Sequence, residues 1–308
     1  MIEKVNDNKI IPPLSDFGFK NLFGKEGSQS NLIFLLNEIL KGYPGMSPIV
    51  EVTYRNPDHQ ASTPDRKSTK FDIYCKTGNG KTFIIEMQNE GDSLIKKRLL
   101  FYLCQAVTEQ DSRTDLLTPW DYDFPPVIVI MICNFIDREI DPCEVNYFGF
   151  LNLESHKPLG NHVGLVMVQL PFFPQEEMEC KTELEKIFYS LTHMDTITKQ
   201  GNIPFSKHSG DFYDRIAKMS QTASLTKDEL HAYHQWLKVT NDDRLMLKRA
   251  EEKGLAEGEA KGRTEGRAEG EKQKAIEVAR TAISMGLDDQ AIQQLSGLPM
   301  EEIQKLKY

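Results

Sequence analysis

The positions of apolar residues predict helix near the start of the chain. The apolar residues between positions 17 and 40 are mostly three or four apart: Phe19, Leu22, Phe23, Leu32, Leu35, Leu36, Ile39 and Leu40. Such spacing places them on one face of a helix. The pattern is interrupted near residues 24–28, and Tyr43-Pro44-Gly45 ends it. We therefore predict a helical stretch over residues 17–40 with an internal break.

Three segments with strand character follow. Residues 49–54 alternate apolar and polar side chains, as a half-buried strand does. Residues 69–76 and 81–89 are rich in Phe, Ile, Tyr and Thr, and the Thr77-Gly78-Asn79-Gly80 segment between them is typical of a turn. The second and third segments are therefore predicted to form a β-hairpin.

Helix and strand patterns alternate after the hairpin. Residues 93–109 predict a helix, since apolar side chains share one broad face. These side chains are Leu94, Ile95, Leu99, Leu103 and Ala106. Val127–Cys133 is a continuous apolar run, which is typical of a strand buried on both sheet faces. Residues 163–170 are a further candidate strand, and the alternation indicates an α/β domain.

Beyond residue 175 the pattern is helical, and it then becomes rich in glycine. Glycines recur every four positions among Glu, Lys, Arg and Ala, at Gly254, Gly258, Gly262, Gly266 and Gly270. Each glycine destabilises a helix by about 1 kcal/mol relative to alanine. The same spacing keeps the glycines near one stripe, where a second helix can approach. A helical self-association stripe and a semi-flexible linker are therefore both open.

Three short helices are predicted at the end of the chain: residues 276–285, 288–295 and 300–306. Gly286 and Gly297 lie where helices commonly stop, and Asp288 or Asp289 can cap the next helix. This indicates a helix-turn-helix shape, which suits either a docking module or a DNA-reading one. In a DNA-reading module, base contacts are normally made at the start of the last helix. Here that position carries the acidic residues Glu301 and Glu302, which favours a docking module.

These patterns predict four parts in a chain of 308 residues. They are a main domain (1–175), a helical extension (176–247), a Gly/Glu-rich helical linker (248–274) and a small helical module (275–308). No apolar run is long enough to cross a bilayer. The five cysteines are scattered and show no CxxC spacing, which argues against a zinc site or a disulfide framework. We expect a cytoplasmic protein that does not bind membranes.

The net charge of -9 is unevenly distributed. Residues 1–110 hold 14 Lys and Arg against 13 Asp and Glu, residues 111–247 hold 12 against 21, and residues 248–308 hold 11 against 12. The acidity therefore lies in the middle of the chain. Basic clusters at Arg66-Lys67, Lys70 and Lys96-Lys97-Arg98 can still contact phosphates, although such clusters also occur on ordinary solvated surfaces.

Two carboxylates on the predicted hairpin form a candidate metal site. If residues 78–80 form a three-residue loop, Asp72 lies directly across from Glu86, with Cβ atoms about 5 Å apart. One cation can bridge carboxylates at that separation. Gln88 lies two residues beyond Glu86 and projects from the same face. A two-residue turn would place the carboxylates on opposite faces.

Glu86 interrupts an apolar run, Phe83-Ile84-Ile85 before it and Met87 after it. Its carboxylate is therefore predicted to be half-buried. An unpaired charge in such a place is unfavourable, so we expect a metal ion or a positively charged partner beside it.

Four motifs occur in order along the chain: Asp16-Phe17-Gly18-Phe19-Lys20, Asp72 followed after thirteen residues by Glu86-Met87-Gln88, Arg98 with Tyr102, and the glycine- and glutamate-rich tail. Together they resemble the D…ExQ variant of the PD-(D/E)XK nuclease superfamily, and within it the recombination-promoting nuclease and transposase family of bacterial mobile elements. The resemblance covers most of residues 14–135 and returns in the tail. It implies an α/β, restriction-endonuclease-like core with a central mixed sheet flanked by helices, followed by a helical region and a helical tail.

The resemblance also implies a metal-dependent DNA endonuclease associated with recombination or transposition. Asp72 and Glu86 would hold Mg²⁺, with Mn²⁺ as an alternative, and the backbone carbonyl of Met87 would complete the coordination. Asp16 is a candidate for another carboxylate, and Glu38 competes with it.

Gln88 departs from the superfamily's commonest pattern. It occupies the place of a lysine that orients or polarises the nucleophile, and glutamine carries no charge. Lys96, Lys97 or Arg98 is a candidate to supply that charge from the following helix. The residues expected to bind DNA are Lys20, Arg66, Lys67, Lys97 and Arg98.

Two other functions stay open. A catalytically inactive descendant would keep the nuclease-like fold for binding DNA or a partner, and would self-associate through its tail. An unrelated α/β protein with an oligomerising tail would have Asp72 and Glu86 too far apart to share a metal ion.

Overall fold

Eight β-strands are present in residues 9–55, 58–59, 69–110 and 124–307, the residues that this computed structural model describes. They are β1 (Val52–Tyr54), β2 (Asp58–His59), β3 (Thr69–Lys70), β4 (Ile73–Thr77), β5 (Thr82–Gln88), β6 (Val127–Cys133), β7 (Val145–Phe148) and β8 (Val163–Gln169). Six of them form a sheet in the order β1-β4-β5-β6-β8-β7, and β2 pairs with β3. β5, β6 and β8 are parallel to one another, while the other pairs are antiparallel. The predicted mixed sheet is confirmed.

Nine α-helices are present in the same described ranges. They are α1 (Asp16–Phe23), α2 (Gln29–Ile39), α3 (Ile95–Thr108), α4 (Glu183–Thr192), α5 (Met194–Gln200), α6 (Phe212–Met219), α7 (Lys227–Ser284), α8 (Asp289–Ser296) and α9 (Met300–Leu306). The chain divides into two compact units, Met1–Tyr233 and His234–Tyr308. α7 begins in the first unit and ends in the second. The finer division into four parts stays a prediction.

Side-chain alternation on β5 separates two hydrophobic cores. Phe83, Ile85 and Met87 belong to the core that also contains buried residues of α1, α2, α4 and α6. Ile84 belongs to the core beneath α3. Because strand side chains alternate between faces, Glu86 projects on the α3 side of the sheet.

Local contacts fix the start of α1. The side chain of Ser15 accepts a hydrogen bond from the N–H of Gly18 at 3.1 Å, which caps the helix. Gly18 lies so close to Pro12 that a Cβ there would be 1.9 Å from the Pro12 carbonyl oxygen. Only glycine therefore fits this position without a shift of the helix. The gap between α1 and α2 confirms the predicted break near residues 24–28.

The helices after β8 complete the core that α1 and α2 begin. α4 starts with a capping box, in which Thr182 and Glu185 each accept a hydrogen bond from the other's backbone N–H. Its apolar face is buried through Ile187 and Phe188 in the core that also contains residues of α1 and α2. This confirms the helical pattern predicted beyond residue 175.

Several elements differ from the sequence-based expectations. The predicted strand 69–76 is divided into β3 and β4, and β3 pairs with β2, which was not predicted, rather than with β5. β7 was not predicted, because it is a short edge strand in which Tyr147 and Phe148 are exposed, so its side chains show no alternation. Residues 276–285, predicted as a separate helix, are instead the end of α7 and its first following residue. The glycine-rich segment does not end the helix, so residues before and after it belong to one continuous α7.

α7 continues as helix through the glycine-rich segment. Of the two predicted alternatives for residues 253–274, a helical stripe and a semi-flexible linker, the structure therefore has the helix. An added Cβ at any of the five glycines would meet no atom within 4 Å. Ion pairs four residues apart accompany the glycines, among them Lys261–Glu265 at 3.7 Å and Arg267–Glu271 at 3.0 Å. Each such pair stabilises a helix by about 0.3 kcal/mol, which offsets part of the glycine penalty.

The end of α7 packs with α8 and α9 around a small core that includes Ile292 and Ile303. Asp288 caps α8 by accepting a hydrogen bond from the N–H of Ala291 at 2.8 Å, as predicted. Gly297 ends α8 with a φ of 70°, which favours glycine. No helix in the described ranges is both long and apolar enough to span a bilayer.

Candidate active site

The hairpin of β4 and β5 places Asp72 opposite Glu86. The strand ladder ends at the pair Ile73 and Ile85, and Asp72, the residue just before β4, lies across from Glu86 when the same register is extended by one residue. Residues 78–80 form the loop, and a 2.9 Å backbone hydrogen bond joins the residues on either side of it. The predicted loop length and register are therefore confirmed.

Two hydrogen bonds link the strands at this point. The N–H of Asp72 donates to Oε1 of Glu86 at 3.3 Å, and the N–H of Met87 donates to Oδ2 of Asp72 at 2.9 Å. The N–H and C=O of one strand residue point to the same side of the strand. The carbonyl of Met87 is therefore directed to the side of β5 on which Asp72 lies.

Both carboxyl groups are poorly solvated. Glu86 is only 4% exposed. Burial raises the pKa of Glu86 to about 8, and the nearby charge of Asp72 adds to this effect. Burial also raises the pKa of Asp72, although Lys20 and the N–H of Met87 oppose it. A bound cation would stabilise the ionised form of both groups.

Lys20 on α1 contacts this pair directly. Its Nζ lies 3.0 Å from Oδ1 of Asp72 and 2.5 Å from Oδ1 of Asp16. Burial alone would lower the pKa of Lys20, but Asp72 and Asp16 outweigh burial and raise it. The sequence places Lys20 only among DNA-binding candidates, because nothing in the local pattern indicates that α1 meets the hairpin.

Arg98 and Tyr102 belong to α3, which packs on the sheet face from which Glu86 projects. Arg98 is close enough to Glu86 to oppose the rise in its pKa. Nε and Nη2 of Arg98 are buried and have no hydrogen-bond partner among the described residues, and Nη1 lies 3.7 Å from Oδ2 of Asp92. Buried guanidinium donors without a protein partner suit an anionic ligand such as a phosphate.

Gln88 ends β5 on the same face as Glu86. Its backbone carbonyl accepts a hydrogen bond from the N–H of Asn134 at 2.8 Å. The neighbouring Asn89 donates to the carbonyl of Leu14 at 2.9 Å. This contact joins the end of β5 to the residues just before α1, and so helps to hold Lys20 near Asp72.

The remaining candidates lie elsewhere. Lys96 forms ion pairs with Asp137 at 3.0 Å and Glu139 at 2.7 Å, and Lys97 is exposed. Glu38 lies 3.5 Å from Lys41 and close to the phenol of Tyr213 rather than at the hairpin. Arg66 and Lys67 lie outside the described residues.

The donor set suits Mg²⁺ bound together with a substrate. Among the described residues, no group of three His, Cys, Asp or Glu side chains could hold a metal ion. Asp16 forms an ion pair with Lys20, and its role as a further carboxylate of the site stays a prediction. Mg²⁺ is commonly held by one or two carboxylates, with water and substrate phosphates filling its other positions. Asp72, Glu86 and the carbonyl of Met87 fit that requirement.

A family model described as PD-(D/E)XK nuclease family transposase matches residues 13–250 of the chain. The matched region includes α1, the hairpin and α3. No curated protein and no solved structure gives a significant match. The six-stranded mixed sheet with flanking helices is the restriction-endonuclease-like α/β fold that the motifs imply.

Proposed function

The chain belongs to the PD-(D/E)XK nuclease family transposases, and we propose that it is a metal-dependent DNA endonuclease associated with recombination or transposition. The observation that carries this proposal is a pair of poorly solvated carboxyl groups: the N–H of Asp72 donates to Oε1 of Glu86 at 3.3 Å, Glu86 is 4% exposed and the Asp72 side chain is 14% exposed. Two acids this close are unfavourable without a cation, so their placement serves cation binding better than stability.

In this proposal Asp72, Glu86 and the carbonyl of Met87 hold Mg²⁺, and Mn²⁺ fits the same oxygen donors. A bound divalent cation polarises the scissile phosphate and makes water a better nucleophile. Gln88, on the Glu86 face of β5, can orient a water molecule through its amide but adds no charge.

Positively charged side chains bind the DNA backbone. Arg98 offers two buried donors to a phosphate, and Lys97, which is exposed on the same helix, extends the basic surface. Lys20 belongs to the same group. Arg66 and Lys67 keep their predicted DNA-binding role from the sequence alone.

Plasmid nicking with Mg²⁺ tests the proposal. Wild type should convert supercoiled plasmid to the nicked, open-circular form. The nicking rate of Asp72→Asn should be lower by about 100-fold or more. Asp214→Asn is a matched control, because Asp214 is similarly buried and also pairs with a lysine, Lys218 at 2.7 Å. Its carboxylate accepts hydrogen bonds from Gly210 and Lys218, which belong to α6 and the loop before it, so Asp214→Asn should retain cleavage. No cleavage by wild type, or equal cleavage by Asp72→Asn, would reject the site.

A second candidate function is DNA or partner binding without cleavage. The uncharged Gln88 favours it, since the site then lacks a cation at that position. A mobility-shift assay would give DNA retention by wild type and Asp72→Asn alike, with no cleavage by either protein.

Self-association through α7 is a further part of the proposal. Its five glycines fall near one helical stripe and would leave room for a second helix backbone. Sedimentation of the full chain measures whether it self-associates.

A further inference from the structure

Lys20 stands at the rim of the candidate active site. The exposed fraction of the side chains rises from 14% for Asp72, through 30% for Lys20, to 54% for Asp16. The ammonium therefore lies between the buried carboxylate pair and solvent. A phosphate that enters from solvent toward Asp72 would meet it.

Position 88 supplies no cation to this site. Negative charge is distributed over the phosphate oxygens in the transition state of phosphoryl transfer, and a positive group that contacts them lowers the barrier. Gln88 can donate and accept hydrogen bonds but cannot contribute that charge.

The other basic residues of the region are placed differently. Lys96 is paired with Asp137 and Glu139, and Arg98 approaches Glu86 from the α3 side. Among the described residues, Lys20 is the lysine that forms an ion pair with a member of the carboxylate pair.

We propose that Lys20 is a further catalytic residue, whose ammonium contacts the scissile phosphate and supplies the positive charge that Gln88 lacks. This inference rests on the proposed endonuclease function. In the hydrolysis, a water oxygen forms a bond to phosphorus and the bond from phosphorus to one sugar oxygen breaks. The water releases a proton to solvent, and the leaving oxygen takes one up. Lys20 stabilises the negative charge on the phosphate and forms or breaks no covalent bond.

Asp16 is the positioning residue in this arrangement. It lies four residues before Lys20, one turn earlier on the same face of α1. When a phosphate draws the ammonium away from Asp72, the ion pair with Asp16 at 2.5 Å still limits where the ammonium can go. The loss of the Lys20 contact also frees an oxygen of Asp72 for a metal ion.

The test compares Lys20→Met with Lys25→Met in single-turnover plasmid nicking. Lys25 is a matched control, because its side chain is 35% exposed and pairs with Glu229 at 2.6 Å. Lys20→Met should nick about 100-fold more slowly than wild type, and Lys25→Met should match wild type. Circular dichroism checks that each variant folds. If Lys20→Met does not fold, Lys20→Gln takes its place.

A second variant and a second readout separate catalysis from structure. Lys20→Met combined with Gln88→Lys should recover about tenfold or more of the lost rate, since it returns a lysine to the Glu86 face. Mn²⁺ affinity, measured by electron paramagnetic resonance, should be no weaker in Lys20→Met, because the competing ammonium is gone.

The failures of the two proposals are distinguishable. Nicking by Lys20→Met within about threefold of wild type, in a series where Asp72→Asn is inactive, overturns the role of Lys20 and leaves the endonuclease proposal standing. Loss of Mn²⁺ binding in Lys20→Met also overturns it, because Lys20 would then act by holding Asp72 in place. Undiminished nicking by Asp72→Asn rejects the endonuclease site itself.

Discussion

The protonation of Glu86 links the chemistry of the site to the stability of the fold. The carboxyl is buried beside Asp72, and both features favour its neutral form. The raised pKa of Glu86 favours the protonated carboxyl in the metal-free fold. The apolar run around it in the sequence predicted a half-buried carboxylate, and the structure buries Glu86 further, to 4% exposure. The opposing contributions of Arg98 and Lys20 depend on tertiary contacts and were not evident from the sequence.

The metal-free protein is expected to lose stability as pH rises from about 5 to about 8. A glutamate in an unfolded chain has a pKa of about 4.3, whereas burial raises the pKa of Glu86 to about 8 in the fold. Between these values the folded state holds a proton that the unfolded state releases, so the free energy of unfolding falls with pH. Thermal melts in EDTA should show a steeper decline for wild type than for Glu86→Gln.

Parallel declines of the two proteins would contradict this assignment. Mg²⁺ provides a second comparison, because a ligand that binds only the folded state raises its melting temperature. At about pH 8, Mg²⁺ should raise the melting temperature of wild type more than that of Glu86→Gln.

The hairpin and α1 differ in how far the sequence predicts them. The turn at residues 78–80 and the strand patterns beside it are local, so counting outward from the turn gave the observed register as far as Ile73 and Ile85. Asp72 and Glu86 follow these residues and are joined by a hydrogen bond. Lys20 reaches the same point from α1, and that meeting depends on packing between segments far apart in the chain. Lys20 was therefore predicted as a DNA-binding residue without its contact to Asp72.

The position of α1 is expected to depend on Gly18. In Gly18→Ala the added Cβ would lie 1.9 Å from the Pro12 carbonyl oxygen, so the helix must shift. We expect a loss of about 1–3 kcal/mol in the free energy of unfolding, measured by urea denaturation. Nicking should also fall, because Lys20 moves with the helix.

Gly149→Ala is the control for this prediction. A Cβ at Gly149 would meet no atom within 4 Å, so its effect on stability should stay within about 0.5 kcal/mol. Equal stability of Gly18→Ala and wild type would show that α1 can shift without cost, and would contradict the account of its placement.

The whole molecule consists of two compact units, and the sequence predicted the elements better than their grouping. The helices after β8 were predicted as helical, but a periodic pattern does not reveal that Ile187 and Phe188 share a core with α1 and α2. The glycine-rich segment left linker and helix open, because five glycines lower helix propensity while their ion pairs support it. Continuous helix is found there.

Self-association, if it uses the glycine stripe, should weaken when the stripe is filled. Gly258→Leu with Gly262→Leu raises helix propensity but separates the helix backbones, so the sedimentation coefficient of the full chain should fall. Thr264→Leu, on the opposite side of α7, should leave it unchanged. An unchanged coefficient for the double variant of an oligomeric wild type would place the association elsewhere.

A crystal structure of the full chain soaked with Mn²⁺ tests the central claim most directly. Anomalous scattering locates the ion without reference to activity. The account predicts a peak coordinated by carboxylate oxygens of Asp72 and Glu86 at about 2.2 Å, with the carbonyl of Met87 completing the protein donors. A well-occupied Mn²⁺ elsewhere, with the ammonium of Lys20 still on Asp72 and no metal at Glu86, would contradict it.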